Sequence, residues 1–170
     1  MTKQLLSVVA LALSAAGSFA ASPEAKPVEL VLEDQFERRQ DLAAYRGEVV
    51  VLVYGARRAP VAALQGVAAG KRSPDVVVVP VAAAGSVPGV IKDLIRTQVA
   101  KASPEVPVWL DFTGVMEKEF GLRGGQPNVV VFDAGGRLRL KVNGTPDQPT
   151  LDKLIQTIQN LRAEAVGLGK

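Results

Sequence analysis

Three acidic residues, Asp111, Glu117 and Glu119, come nearest to a carboxylate cluster in this chain, and their spacing argues against shared chemistry. Asp111 is followed by Phe112-Thr113-Gly114, a turn in which an aspartate side chain bonds the backbone just ahead of it. Glu117 and Glu119 stand two apart, so on a helix they point to different faces and make neither a metal pair nor an acid/base pair. Arg57 and Arg58 are a second candidate. They precede Pro60, a favoured first-turn residue, and two guanidinium groups at a helix N-terminus could hold an anion or a carboxylate. The same two cations repel each other and the positive end of the helix dipole, so a solvated loop through Ala59 and Pro60 is the competing account. A third candidate is Gln126-Pro127 with Arg123 nearby. There a proline ahead of an apolar run either fixes a turn or offers backbone to an extended peptide.

The missing residue types exclude more than the present ones suggest. The chain has no cysteine and no histidine. Thiol redox chemistry, Cys/His zinc and copper sites, Cys–His nucleophiles and a histidine-based serine triad are therefore closed to it. Gly124-Gly125 and Gly135-Gly136 lack the strand–GxGxxG–helix context of a phosphate loop, and no cofactor motif is present. Trp109, at the end of an apolar run, reads as core and not as a ligand platform.

The first segment stands apart from the rest. Lys3 supplies a positive start, and Leu5 to Ala16 is apolar but too short to span a bilayer. Ser18-Phe19-Ala20 then places small residues where a signal peptidase reads them, so a cut after Ala20 and export to a periplasm or beyond are expected. No later stretch is apolar enough for a membrane span. Only Lys3 is lost from the charged residues on cleavage, so the mature charge lies one below the +3 of the full chain. Such a small excess on an exported protein gives no footing for nucleic-acid binding. The expected organisation is a leader over 1–20, a linker over 21–27, one domain over 28–165 and a tail over 166–170.

The domain must be built from small aliphatic side chains, because 48% of the residues are hydrophobic and only 5% aromatic. Val28 to Leu32 reads as a short strand, and Gln40 to Tyr45 as a turn of helix closed by Gly47. Val49 to Tyr54 is a continuous β-branched run, the pattern of a strand covered on both faces. A helix is expected from Pro60 to about Ala69, then a buried strand over Val76 to Ala82, where Pro80 argues for a local edge or bulge. Ser86 and Pro88 open a longer helix with Val90, Ile91, Leu94, Ile95 and Val99 on one apolar stripe. Val106 to Leu110 is a short strand, and Val115 to Phe120 a helical turn capped by Gly121. Val129 to Asp133 and Leu138 to Val142 form a hairpin. A last helix begins near Thr150 with Leu151, Leu154, Ile155, Ile158 and Leu161 as its apolar face. Strands alternating with helices, then a hairpin and a closing helix, predict an α/β sandwich with a mixed sheet.

Two long segments carry a family resemblance. Leu32 to Gly55 resembles the entry to redoxin domains of the TlpA, peroxiredoxin and Sco types. Val108 to Gly144 is similar to the C-terminal half of the same families, with Pro127 at the position of their cis-proline. The resemblance implies a thioredoxin-like fold. It carries over no catalytic residue, because Ala59, Ala62 and Ala63 stand where the family's cysteines fall, and the Sco-type copper site needs a histidine. DFTG and DAGG also resemble turns of the cysteine-less, YtfJ-type periplasmic proteins.

The function expected on this basis is an exported, redox-inactive thioredoxin-like module that contacts a periplasmic peptide or protein. Its binding face is expected to comprise Arg57, Arg58, Ala59, Pro60, Arg123, Gln126 and Pro127. A redoxin-type oxidoreductase or antioxidant role by homology, and a purely structural envelope role, are the alternatives. The sequence does not set the oligomeric state.

Overall fold

A computed structural model describes residues 19–20, 26–55 and 75–168. The expected leader up to Ser18, most of the linker, the helix from Pro60 to Ala69, and Arg57, Arg58, Ala59, Pro60, Ala62 and Ala63 lie outside the described residues.

Eight strands make one mixed sheet: β1 (Phe19–Ala20), β2 (Val31–Asp34), β3 (Arg39–Asp41), β4 (Val49–Tyr54), β5 (Val76–Ala83), β6 (Trp109–Asp111), β7 (Asn128–Phe132) and β8 (Leu138–Asn143). Their order across the sheet is β1-β8-β7-β4-β5-β6-β2-β3. β4, β5 and β6 run parallel to one another, and every other neighbouring pair is antiparallel. The described helices are α1 (Gly89–Ala102), α2 (Val115–Phe120) and α3 (Gln148–Leu168), with a 3-10 turn over Leu42–Tyr45.

β4 is central because its side chains are apolar on both faces, and all six of its residues are buried. Alternation divides them between two cores. Val50, Leu52 and Tyr54 pack with Trp109, Met116, Phe120 and Phe132 on the α2 side. Val49, Val51 and Val53 pack with Leu154, Ile158 and Leu161 of α3 on the other. The alternating pattern of the sequence thus becomes a two-layered interior.

Pro80 sits inside the sheet without costing a ladder bond to a second neighbour. It pairs in register with Val53 of β4, while β6 joins β5 only from Val81 onward. At Pro80 the strand has a neighbour on one side only, the condition a strand proline requires.

Three expectations need correcting. The first strand of the domain is Val31–Asp34, displaced from Val28–Leu32, because Asp34 is drawn into the sheet to organise the turn after it. Its fully buried carboxylate accepts from Phe36 N (2.8 Å), Arg38 N (3.0 Å) and Gln40 Nε2 (2.9 Å). The strand expected over Val106 to Leu110 begins only at Trp109. The Gln35 side chain binds Val106 O and Val108 N and holds that approach as a loop. The apolar stripe of α1 is not buried: Val90, Ile91 and Leu94 are exposed, and no residue of the helix reaches the core. Polar contacts hold α1 instead. Arg96 meets Glu33 at 2.7 Å and Glu37 at 3.3 Å, and Gln35 Nε2 donates to Ser103 O just past the helix.

Candidate functional site

The C-terminal end of β4 meets the loop between α2 and β7, and the contact is backbone against backbone. Gly55 follows β4 at φ 100°, in the left-handed region that favours glycine. A Cβ placed there would lie 2.7 Å from the Gln126 carbonyl oxygen, so no other residue fits without moving the loop. Gly55 N donates to Val81 O, which fixes this end of β4 against β5.

Asn128, fully buried at the start of β7, sets the shape of the loop. Its Nδ2 donates to Gln126 O (2.8 Å) and Arg123 O (2.9 Å), and its Oδ1 accepts from Arg123 N (3.2 Å). One side chain thereby satisfies three backbone groups that a strand or helix would otherwise pair. Pro127 O accepts from Gly144 N (2.8 Å), tying the other side of the loop to the end of β8. Of the expected site residues, Arg123, Gln126 and Pro127 are brought together on this loop, with Arg123 and Gln126 exposed and Pro127 half-buried. Arg57, Arg58, Ala59 and Pro60 fall outside the described residues.

The Gln126–Pro127 peptide bond is trans, against the expectation from the family position of Pro127. Trans is the lower-energy isomer by roughly 0.5–1 kcal/mol. Here the Gln126 carbonyl is already committed to Asn128 and faces Gly55.

Beneath the loop lies a second polar group of contacts. The Tyr54 hydroxyl, on a side chain otherwise buried in the core, donates to Glu117 Oε1 at 3.1 Å. Burial raises the Tyr54 pKa well above its ordinary value, and the charges of Asp111 and Glu117 add to the effect. Glu117 also fills the space beside Gly124, where a Cβ would lie 2.9 Å from Oε1. Asp111 serves α2. Its Oδ1 accepts from Thr113 N, Thr113 Oγ1 and Val115 N, each at 3.1 Å, and its Oδ2 from Met116 N at 2.9 Å. That is the turn role its spacing suggested. Glu119 is exposed and takes no part. The carboxylates cap and position, and among the described residues no cluster of acidic side chains is arranged to hold a metal ion.

Sequence reasoning passed over Asn128, Gly55 and Tyr54. Asn128 left one trace, a lone amide opening an otherwise apolar run. The expected strand began one residue later, at Val129, and treated the amide as loop. Gly55 and Tyr54 gave no comparable sign, since what defines them is the approach of residues far along the chain, Gln126 to Gly55 and Glu117 to Tyr54.

No protein-family model matches this sequence, and no curated protein matches it either. Solved structures do. The exposed lipoprotein thioredoxin of Streptococcus pneumoniae superposes with a TM-score of 0.56 at 20% identity, covering 76% of this chain and 99% of its own. A DsbF homologue from Corynebacterium diphtheriae gives 0.60 at 18% identity, covering 89% and 97%. BsSco, a member of the Sco family of cytochrome c oxidase assembly proteins, gives 0.54 at 13% identity, covering 85% and 98%. At these identities the likeness is one of fold. The chain has a thioredoxin-like fold, and it has no cysteine.

Proposed function

From a thioredoxin-like fold without cysteine or histidine, we propose an exported, redox-inactive module that binds an extended segment of a protein or peptide in the cell envelope. The binding face is the surface around Gly55 and the Arg123–Pro127 loop, extended by Arg57, Arg58, Ala59 and Pro60. The observation that carries this reading is the fit of the Gln126 carbonyl against Gly55, with Asn128 holding the loop that presents it. A buried amide spent on three backbone groups keeps an exposed loop in one shape, and a preformed loop costs less ordering when a partner binds. With no thiol or imidazole available, thiol redox chemistry is closed to such a face, and the reading offered for it is recognition.

The leader ending at Ala20 supports export. The named neighbours add to this, since one is described as an exposed lipoprotein. No helix among the described residues is long and apolar enough to cross a membrane.

Cross-linking with a photoreactive residue at Gln126 tests the face. A discrete adduct with an envelope protein, weakened when Arg57 and Arg58 are both replaced by alanine, is the expected result. An adduct pattern indifferent to that double replacement would place the face elsewhere. Peroxidase or disulfide-reductase turnover by the pure protein would overturn the redox-inactive reading altogether, because no side chain here can form a disulfide or a sulfenic acid.

A further inference from the structure

The end of the leader does not hang free. Phe19 and Ala20 form β1, the outermost strand of the sheet, paired antiparallel with β8 in the register Phe19–Lys141 and Ala20–Leu140. These are the two residues immediately before the expected cut, so cleavage after Ala20 removes the strand that covers β8. Leu140 to Asn143 is regular edge, and the irregularity of the β7–β8 ladder falls just before Leu140.

We propose that the outer edge of β8 is a strand-binding site, filled in cis by Phe19–Ala20 in the uncleaved chain and by an extended segment of a partner protein in the mature one. The proposal rests on the export reading only for the removal of β1. Three observations support it. The edge already accepts backbone in a defined antiparallel register, which is the requirement for strand addition. Lys141 lies on this edge with its Nζ held by Phe120 O at 2.7 Å, a cation positioned on one face of the ladder. Asn143, two residues on and so on the same face, donates to Gly121 O, while its Oδ1 is buried without a hydrogen-bond partner.

Those features describe the occupant. An incoming strand meets them with an acidic residue opposite Lys141 and a hydrogen-bond donor opposite Asn143. The intervening positions, opposite Leu140 and Val142, are apolar, because both of those side chains belong to the α3-side core. A second copy of the chain fits less well. Symmetric pairing centred on Lys141 sets two ammonium groups opposite each other, which is destabilising. Pairing centred on Val142 runs into Gly144, at φ 86° and beyond the end of β8, and so shortens the ladder.

Hydrogen exchange of the full chain and of a chain beginning at Ala21 tests the proposal, since both cores lie within residues present in either. The probe is an acetylated, amidated peptide with Gln-Val-Glu-Val at its centre. In the shorter chain the Lys141 amide, which points to the outer edge, should exchange at least about tenfold faster, and the peptide should restore its protection. The full chain should bind the peptide about tenfold more weakly, because its own strand competes. Lys141→Glu should weaken binding to the shorter chain, with Lys141→Met as the variant that leaves the edge uncharged and the fold least disturbed. Equal protection in the two chains, or equal peptide affinity, would overturn the proposal. Concentration-dependent protection without peptide would replace the partner with a second copy. A chain that cells leave uncut would refute export while leaving these measurements intact.

Discussion

Gly55 and Gln126 touch through their backbones. The space a Cβ would need at Gly55 lies 2.7 Å from the Gln126 carbonyl oxygen, and Gly55 adopts φ 100°. Gly55→Ala therefore meets two obstacles together, a left-handed backbone and a carbonyl with no room to yield. A loss of about 1–3 kcal/mol is expected in urea unfolding, with the amide resonances of Gln126 and Asn128 shifted most in the folded spectrum. Unchanged loop resonances would mean that the contact does not constrain the loop.

Asn128→Ala removes the partner of Gln126 O, Arg123 O and Arg123 N in a single change. Leaving buried backbone groups unpaired should cost about 2–4 kcal/mol. The diagnostic result is local: exchange of the Arg123 amide should accelerate more than exchange in β4. Asn128→Asp is a second probe, because a carboxylate keeps the acceptor and loses both donors.

Asp111→Ala should loosen α2 from its N-terminus. Four hydrogen bonds to a fully buried carboxylate are lost, and about 3 kcal/mol of stability with them. Asp111→Asn, which keeps one acceptor oxygen, should fall between this variant and the wild type. If both variants melt alike, the capping contacts contribute little.

Alkaline pH should destabilise the protein through its tyrosines. Burial raises the pKa of Tyr54 above the ordinary 10.0, and burial raises that of Tyr45 as well, so the folded chain holds both protons more tightly than the unfolded chain does. Below pH 10 both states are neutral at these groups and the contribution to stability is complete. Above it the unfolded chain ionises first, and stability falls as pH rises. Tyr54→Phe should flatten this fall, with Tyr45 left to account for the remainder. Absorbance at the tyrosinate band should show no ionisation in the folded protein until the pH exceeds the ordinary tyrosine range. A normal titration midpoint would contradict the buried placement of Tyr54.

The contrast between β4 and α1 shows how far sequence pattern reaches. In β4 every residue is apolar, and a strand buried on both faces has only one place in such a fold, the middle of the sheet. In α1 the apolar stripe reads just as clearly, yet Val90, Ile91 and Leu94 are exposed. Periodicity specifies that a face exists and leaves open what will cover it. The same holds for Pro80. The residue type demanded a position with one free side, and the staggered start of β6 supplied it inside the sheet.

What the sequence determined by itself is a matter of residue types and short-range order. The absence of cysteine and histidine ruled out thiol and imidazole chemistry, the β-branched runs placed the strands, and Asp111 with its following turn announced a cap. The tertiary structure alone decided how distant segments meet. It set Gly55 against Gln126, the Tyr54 hydroxyl on Glu117, and Phe19–Ala20 along β8. Each of these joins segments far apart in the chain. Local propensity carries no record of such a meeting, because the constraint arises only when the sheet has closed and the backbones compete for the same space.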